Sequence, residues 1–461
     1  MTLIADAITR VHREEWARVV AGLGRRFGDL DIAEEMAAEA FAIAVERWPV
    51  DGIPPNPGGW ITTTAHRRAI DRLRREARRD DKHREAQMLY DGTPAVPPHP
   101  SEDGAIDDDR LRLIFTCCHP ALAMESRVAL TLRMVGGLTV AEIARAFLVP
   151  EATTGQRITR AKGKIKAAKI PYRVPSSADL PARITGVLAV LFLVFNEGYL
   201  ASDPAKEPVR SDLTLEAIRL TRLLRALLPD DGEVAGLLAL MLLTEARRRA
   251  RVSASGELVT LYEQDRSAWD AALVAEGHAL VRERLAAVSA GQVRPGRFQI
   301  LAAINAVHTS ARDARDTDWS QVVALYDQLI ALDPSPIVAL NRAVALAELD
   351  GPEVALAVVD RLESAASRGG PSTGSGRSPS TGSGRSPSTG SGRSPSTGSG
   401  QALGGYHAYH ATRADLLRRL GRSTAARAAY DRAIELAGNS AEIAYLTRRR
   451  DQLGPTELGP Q

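Results

Sequence analysis

GLTVAEIARAFLVPEATTGQRITRAKGKIK, Gly137 to Lys166, reads as a helix, a tight turn and a second helix that ends in a run of positive charge. Thr139 and Glu142 have the Thr-x-x-Glu spacing of a capping box, in which a hydroxyl and a carboxylate satisfy amides left free at a helix start. Ile143, Ala146 and Phe147 then fall on one helical face. Leu148-Val149-Pro150 ends that helix, because proline lacks the amide donor and clashes with the preceding turn. The second helix carries Thr153, Thr154, Gln156, Arg157 and Arg160, then Lys162, Lys164, Lys166 and Lys169, with no acid between Ala152 and Pro175. Short polar groups and arginine suit base edges and phosphates, and lysine suits the backbone, so the pattern points to a DNA-reading helix. The plainer alternative is a surface helix pair with a solvated basic face. The capping box, the turn and the acid-free second helix together favour DNA. Gly155 and Gly163 lie inside that helix and each costs about 1 kcal/mol relative to Ala, so packing or DNA must hold it.

Working outward, 461 residues give room for two to four domains, and the apolar fraction of 44% is that of a globular chain. The net charge is only +3, so the basic stretch is local. Aromatics make up 5%, Ala, Leu and Arg abound, and no period-two strand pattern is found, so an all-α fold is expected. The two cysteines are adjacent, Cys117-Cys118, which fits a reducing, cytoplasmic setting. With His119 they could be imagined as a metal site, but no second ligand cluster lies nearby; buried helix-end residues stopped by Pro120 are expected instead. No metal, cofactor or catalytic residue is expected. The first residues lack a signal-peptide core, and the apolar run Val187 to Phe195 is shorter than the roughly 20 residues that span a bilayer, so no membrane is expected.

Residues 10–79 read as three or four packed helices. Trp16, Val19, Val20, Leu23 and Phe27 mark one that ends near Gly28, and Ile32, Met36, Ala40, Ile43, Ala44 and Trp48 mark the next. Glu34, Glu35 and Glu39 occupy its other side, either as a solvated acidic face or as a partner surface. Pro49 to Gly59 holds four prolines and three glycines and is expected to be a loop. Trp60 then opens WITTTAHRRAIDRLRREARR, with Arg67, Arg68, Arg72, Arg74, Arg75, Arg78 and Arg79. Aromatic and basic residues beside a loop suit single-stranded or melted DNA. A salt-bridged surface helix with Asp71 and Glu76 as partners is the alternative.

The order AEEMAAEAFAIAVERW, a short loop, WITTTAHRRAIDRLRR, a linker, then the helix-turn-helix resembles a bacterial sigma-70-type factor, most of all the compact extracytoplasmic-function class with only regions two and four. The resemblance covers roughly residues 10–173. It implies that residues 31–48 dock on the clamp helices of the β′ subunit of core RNA polymerase, with Asp31, Glu34, Glu35, Glu39, Phe41 and Trp48 as contacts. It implies that Asn56, Trp60, Thr63, Arg67, Arg68, Arg72 and Arg75 melt and hold the downstream promoter element. Thr153, Thr154, Gln156, Arg157, Arg160, Lys162 and Lys164 would read the upstream element, with region four on the β flap. Ala38 stands where the family usually has glutamine and Arg67 where it often has asparagine.

Residues 80–108 read as an acidic, proline-rich tether, which in the resemblance threads a basic polymerase channel, and 109–175 as region four. Compact factors of this class end near residue 175, whereas here a helical extension, 180–461, follows. Ser211-Asp212 caps a leucine-rich segment closed by Pro229, and Glu233 to Arg251 is apolar in its middle and Arg-rich at its end. Phe195-Asn196-Glu197-Gly198-Tyr199 is expected to be a helix end closed by Gly198 rather than an active site. Ala414 to Gly438 resembles a tetratricopeptide unit, with Leu420-Gly421, Ala426, Tyr430, Ala433 and Leu436 at its small and bulky positions. Trp319 to Pro334 matches the second helix of another unit, and Pro336 to Leu362 begins a third. PSTGSGRS recurs within 368–402 and is expected to be a mobile insertion that the array tolerates. The expectation is a non-enzymatic promoter-recognition subunit, with a regulatory protein or an intramolecular contact acting through the extension. The alternative is a helix-turn-helix regulator on a tetratricopeptide-like scaffold, acting without replacing the sigma subunit. Residues 31–48 discriminate, since such a regulator has no use for an acidic helix followed by a melting loop.

Overall fold

The computed structural model describes residues 2–87, 109–147, 149–199, 211–253, 256–291, 294–368, 403–438 and 440–453. Among these there is no strand, only an isolated bridge between Val252 and Leu258, so the chain is all-α. It divides into two compact units, one of residues 1–197 and 215–229, the other of 198–214 and 230–461.

The first unit starts with α1 (Thr2–Phe27), α2 (Leu30–Asp51) and α3 (Pro57–Gln87), which pack on one another. Asp29 caps α2 by accepting hydrogen bonds from the amides of Asp31 and Ile32. The loop expected at Pro49 to Gly59 is shorter than the proline count implies. Pro49 sits within the last turn of α2, which closes through the Gly52 amide on the Trp48 carbonyl. Pro57 opens α3, where its missing amide and fixed φ cost nothing. The helix also runs past residue 80, through Gln87, so the start of the expected tether is helical; residues 88–108 lie outside the described residues.

The segment expected as region four follows as α4 (Asp109–Cys117), α5 (Met124–Met134), α6 (Val140–Phe147) and α7 (Glu151–Ala167). The capping box forms as spelled: the Thr139 amide donates to Glu142 Oε2 at 2.7 Å, and the Glu142 amide donates to Thr139 Oγ1 at 3.2 Å. Ile143 is buried, Pro150 precedes α7, and α7 buries Thr154, Ile158, Ala161 and Ile165 beside α5. Cys117 and Cys118 are free and buried at the end of α4; burial pushes both thiols up, Cys118 to about 11.

Helices α8 (Leu180–Tyr199) and α9 (Ser211–Leu227) contribute residues up to Glu197 and from Leu215 to this unit. Sequence alone places an apolar run at Val187 to Phe195. The helix built around it is 20 residues long and apolar enough to cross a membrane by length and composition. Here Ile184, Val187, Leu188, Val190, Leu191, Val194 and Phe195 are buried in protein. Val187 and Leu191 meet Ile114, Thr131 and Val135 of region four and Leu220 and Leu224 of α9 around a small apolar gap.

In the second unit, α10 (Gly232–Glu245) is buried on all sides from Val234 to Glu245 and packs on α12 (Ala271–Ser289) and α13 (Arg297–Ser310). The single helix expected from Glu233 to Arg251 is two: α10 ends at Glu245 and the short α11 is Arg248–Arg251. Glu233 reaches the free amides of Phe298 and Gln299 at the start of α13. The array continues through α14 (Trp319–Leu332), α15 (Pro336–Leu349), α16 (Pro352–Arg368), α17 (His407–Arg419), α18 (Ser423–Leu436) and α19 (Ser440–Asp451), each packed on the next. Connections of two or three residues after α14, α15 and α17 fold successive helices back as hairpins. Gly421, at φ 71°, makes the last of these turns, where a Cβ is disfavoured. Ala426, Tyr430 and Ala433 are buried in one core with Leu340, Leu356 and Tyr409. Residues 369–402, which hold the PSTGSGRS repeats, lie outside the described residues.

Candidate nucleic-acid and partner interface

The candidate partner surface begins with the two faces of α2. Ala33, Met36, Ala37, Ala40, Phe41, Ala44 and Trp48 recur every three or four residues and are buried. Phe41 and Trp48, expected as polymerase contacts, therefore belong to the core. Phe41 packs on His12 at 4.7 Å and Trp16 at 5.9 Å between ring centroids, and Trp48 meets Trp60 edge-on at 5.6 Å. The apolar spacing already in the sequence explains this. The acids lie on the remaining face, where Asp31 and Glu35 are open to solvent, Glu39 is half-buried and Glu34 is largely covered.

Helix α3 turns its arginines toward those acids. Arg72 pairs with Glu35, and Arg68 Nε lies 3.8 Å from Glu39 Oε2. The partners are thus on α2, whereas sequence reading offered Asp71 and Glu76; the side chain of Glu76 is outside the described residues. Arg67, Arg74 and Arg75 are exposed, and Arg75 Nε donates to the Asp71 carbonyl. Asn56 caps α3, accepting from the Gly59 amide at 2.9 Å, and the hydroxyl of Thr63 donates to the Gly59 carbonyl at 2.8 Å. Both polar side chains are bonded within the helix start. Trp60 is half-buried against Trp48.

Helix α7 has three sides. Gln156, Arg160 and Lys164 are exposed, with Arg157 and Thr153 half-buried beside them, and residues 153, 156, 157, 160 and 164 fall on one helical face. This is the face of α7 left open to solvent. Thr154 is 2% exposed on the opposite, apolar side, four residues before Ile158, so its hydroxyl is not offered to bases. The third side carries Lys162 and Lys166 and faces the start of α2. Lys162 Nζ donates to Asp31 Oδ1 at 2.8 Å and to Glu34 Oε2, and Lys166 Nζ lies 3.4 Å from Asp29 Oδ2. Lys162, expected on DNA, is thus held by two residues expected on polymerase.

Arg133, at the end of α5, completes this seam. Its Nε donates to Glu34 Oε1 at 2.5 Å and its Nη1 to the Leu138 carbonyl at 2.9 Å, with the guanidinium over the Trp16 ring. Trp16 Nε1 donates to the carbonyls of Arg133 and Met134. Gly137, at φ 74°, lies so close to α1 that a Cβ would stand 2.8 Å from His12 Cε1. Beyond α7, the Tyr172 hydroxyl donates to the Ala21 carbonyl at 3.0 Å. Burial alone would raise the Glu34 carboxyl, but Lys162 and Arg133 outweigh it and hold it below the ordinary range. Burial opposes charge on Lys162 too, and Glu34 and Asp31 reverse that and raise it. His12 is lowered by burial, then by Arg133. Arg133 and His12 were not singled out from the sequence, and Trp16 was marked only for the apolar face of α1, because their partners across this seam lie about a hundred residues away. Among the described residues no cluster of three or more His, Cys, Asp or Glu could hold a metal ion.

Comparison with known proteins bears on the same segments. Residues 13–79 match the family described as Sigma-70 region 2, and residues 112–165 match Sigma-70, region 4. Residues 183–287 match a family of unknown function, DUF6596. The chain is 40% identical over 442 residues to the uncharacterized protein R00370 of Rhizobium meliloti (strain 1021), covering 95% of this chain and 93% of that protein. It is 26% identical over 211 residues to a protein named "Probable ECF RNA polymerase sigma factor SigI" from Mycobacterium tuberculosis (strain ATCC 25618 / H37Rv), covering 44% of this chain and 72% of the relative. It is 29% identical over 160 residues, 33% of this chain and 77% of the relative, to ECF RNA polymerase sigma factor SigK of Mycolicibacterium vanbaalenii. No solved structure matches the chain.

Proposed function

Since the chain belongs to the family of the Rhizobium meliloti protein R00370 and carries Sigma-70 region 2 and region 4 domains, we propose that it directs core RNA polymerase to specific promoters and opens them. The observation that carries this reading is the coexistence, in one compact unit, of an acidic helix start at Asp31, an arginine-rich helix behind Trp60 and an exposed basic face on α7. A regulator that binds duplex DNA alone needs only the last of these.

In this reading Asp31, Glu34, Glu35 and Glu39 meet the β′ clamp helices, and region four rests on the β flap. Arg67 and Arg68, with Arg72 and Arg75, engage the downstream element. Gln156, Arg157, Arg160 and Lys164 read the upstream element. Arginine bidentate to guanine is the commonest specific base contact, so Arg157 and Arg160 set sequence choice and Lys164 supplies phosphate attraction. The protein catalyses no covalent step. The helical hairpins of the second unit are read as a tetratricopeptide-like array that modulates this activity through a protein contact. Their short turns and small residues at Ala426 and Ala433 support that reading.

The test is run-off transcription and core binding with purified core polymerase and full-length protein. Promoter-dependent transcripts that vanish with Arg160→Ala, while core binding persists, are expected. Absence of core binding by the full chain and by its opened variants, described below, would remove the reading.

A further inference from the structure

The two halves of the proposed promoter reader spend working charges on each other. Lys162 on the flank of α7 and Arg133 at the end of α5 both bond Glu34, and Lys162 also bonds Asp31. Lys166 lies against Asp29 at the start of the same helix. Glu34 is left 15% exposed and the Lys162 side chain 10%. At the acidic end of α2, which docks on polymerase in the reading above, Glu34 is therefore covered by the helix that docks on DNA, and Asp31, though 67% exposed, is tied to it by an ion pair.

The first helices of the segment that matches a family of unknown function brace this arrangement. Arg219 on α9 donates from Nη1 to the Arg13 carbonyl on α1 at 3.0 Å, and its ion-pair partner Glu216 stands beside Gly136 at the end of α5. Residue 219 thus holds region two, and residue 216 adjoins region four, one turn apart on the same helix. Arg183 on α8 donates to the Phe115 carbonyl on α4 at 2.5 Å, and Val187 and Leu191 fill the apolar gap beneath.

We infer that α8 and α9 are an intramolecular partner of regions two and four, holding them in a self-masked form in which α7 occupies Glu34 and Asp31 at the polymerase-docking end of α2. The inference rests on the proposed reading of α2 and α7. Core polymerase must compete with region four for Asp31 and Glu34. Its apparent affinity then falls by the fraction of molecules that are open, so a chain about one-tenth open binds about tenfold more weakly than an open one.

The test uses the full chain carrying Asp31→Cys and Lys162→Cys, joined by a bismaleimide whose spacer contains a reducible disulfide. Cys117 and Cys118 are buried and stay out of the reaction. Affinity for purified core polymerase is measured before and after reduction of the spacer. The linked form should bind at least about tenfold more weakly than the same protein released. Equal binding overturns the inference and leaves the sigma reading standing. A second arm uses Arg133→Gln and Arg219→Ala, at positions outside both proposed docking faces. Each should bind core about tenfold more tightly than the wild type, with helicity retained. Unchanged affinity in both variants overturns the inference. Wild type that fails to bind while these variants succeed supports it. Failure of every form to bind core removes the underlying reading as well.

Discussion

Replacing Lys162 by methionine tests where this residue works. The substitution keeps most of the stem and removes the ammonium. In the free chain that ammonium bonds Glu34 and Asp31. Asp31 is 67% exposed, so its share is screened and small. Glu34 is well covered, and a charge-assisted hydrogen bond there contributes about 1.5–3 kcal/mol. Glu34 keeps its bond to Arg133, so the larger cost of about 3–5 kcal/mol for orphaning a buried charge is not reached. The expected loss is about 2 kcal/mol, which for a unit of about 200 residues lowers Tm by about 4–8 °C. The assay is thermal unfolding followed by tryptophan fluorescence, with Trp16, Trp48 and Trp60 reporting on this unit. Lys164→Met is the control: it is exposed on the open face, so stability should shift by less than about 0.5 kcal/mol. On promoter DNA the control should flatten the slope of log affinity against log salt by about 0.9, the release of one phosphate contact. An unchanged Tm for Lys162→Met would refute the placement of this lysine in the seam.

Four further outcomes are expected. Gly155→Ala and Gly163→Ala should each stabilise the first unit by up to about 1 kcal/mol, since a Cβ meets nothing closer than 4.0 Å at either position; urea midpoints check this. Gly137→Ala should destabilise it by about 1–3 kcal/mol, through both the left-handed φ and the contact with His12 and Trp16, and a neutral result would show that region four does not press on α1. A chain ending near residue 175 should unfold at lower urea than one ending at Pro229, because only the longer one retains Val187, Leu191, Leu220 and Leu224 against Ile114 and Val135; equal midpoints would sink that packing. Acid should weaken the first unit in two stages. His12 is lowered in the fold, so below the ordinary value of about 6.5 the unfolded chain binds more protons and stability declines. Glu34 and Asp29 are lowered as well, so their contribution, present above the ordinary carboxylate values of about 4, is lost as pH falls through their folded values. Lys162 is raised, so its contribution is lost only as pH rises above about 10.4 and through the folded value. A urea midpoint that stays level from pH 7 to pH 4 would contradict this assignment.

Local rules made much of the first unit legible. The capping box at Thr139, the stop at Pro150 and the apolar stripe of α2 depend on residues within one or two turns; the first two formed as written, and of the stripe Met36, Ala40, Ala44 and Trp48 are buried while Ile32 and Ile43 are half-buried. Phe41 and Trp48, expected on polymerase, and Thr154, expected on DNA, proved to be core residues, although Trp48 lies on that stripe and Thr154 stands four residues before the buried Ile158. Proline count misled at Pro49 and Pro57, because a proline in a final turn or at a first helical position breaks little. In the extension the break after Glu245 was not readable, since α10 is buried on every side and has no periodic contrast to lose.

By itself, the sequence determined the all-α class, the helix-turn-helix and the acidic and basic faces, because each follows from spacing along a single helix. Only the tertiary structure decided which charges those faces leave free. Lys162 and Glu34 are 128 residues apart, and Arg219 and Arg13 are 206 apart. No periodicity links such pairs; they meet because α5, α8 and α9 close an apolar core that sets α7 against the start of α2.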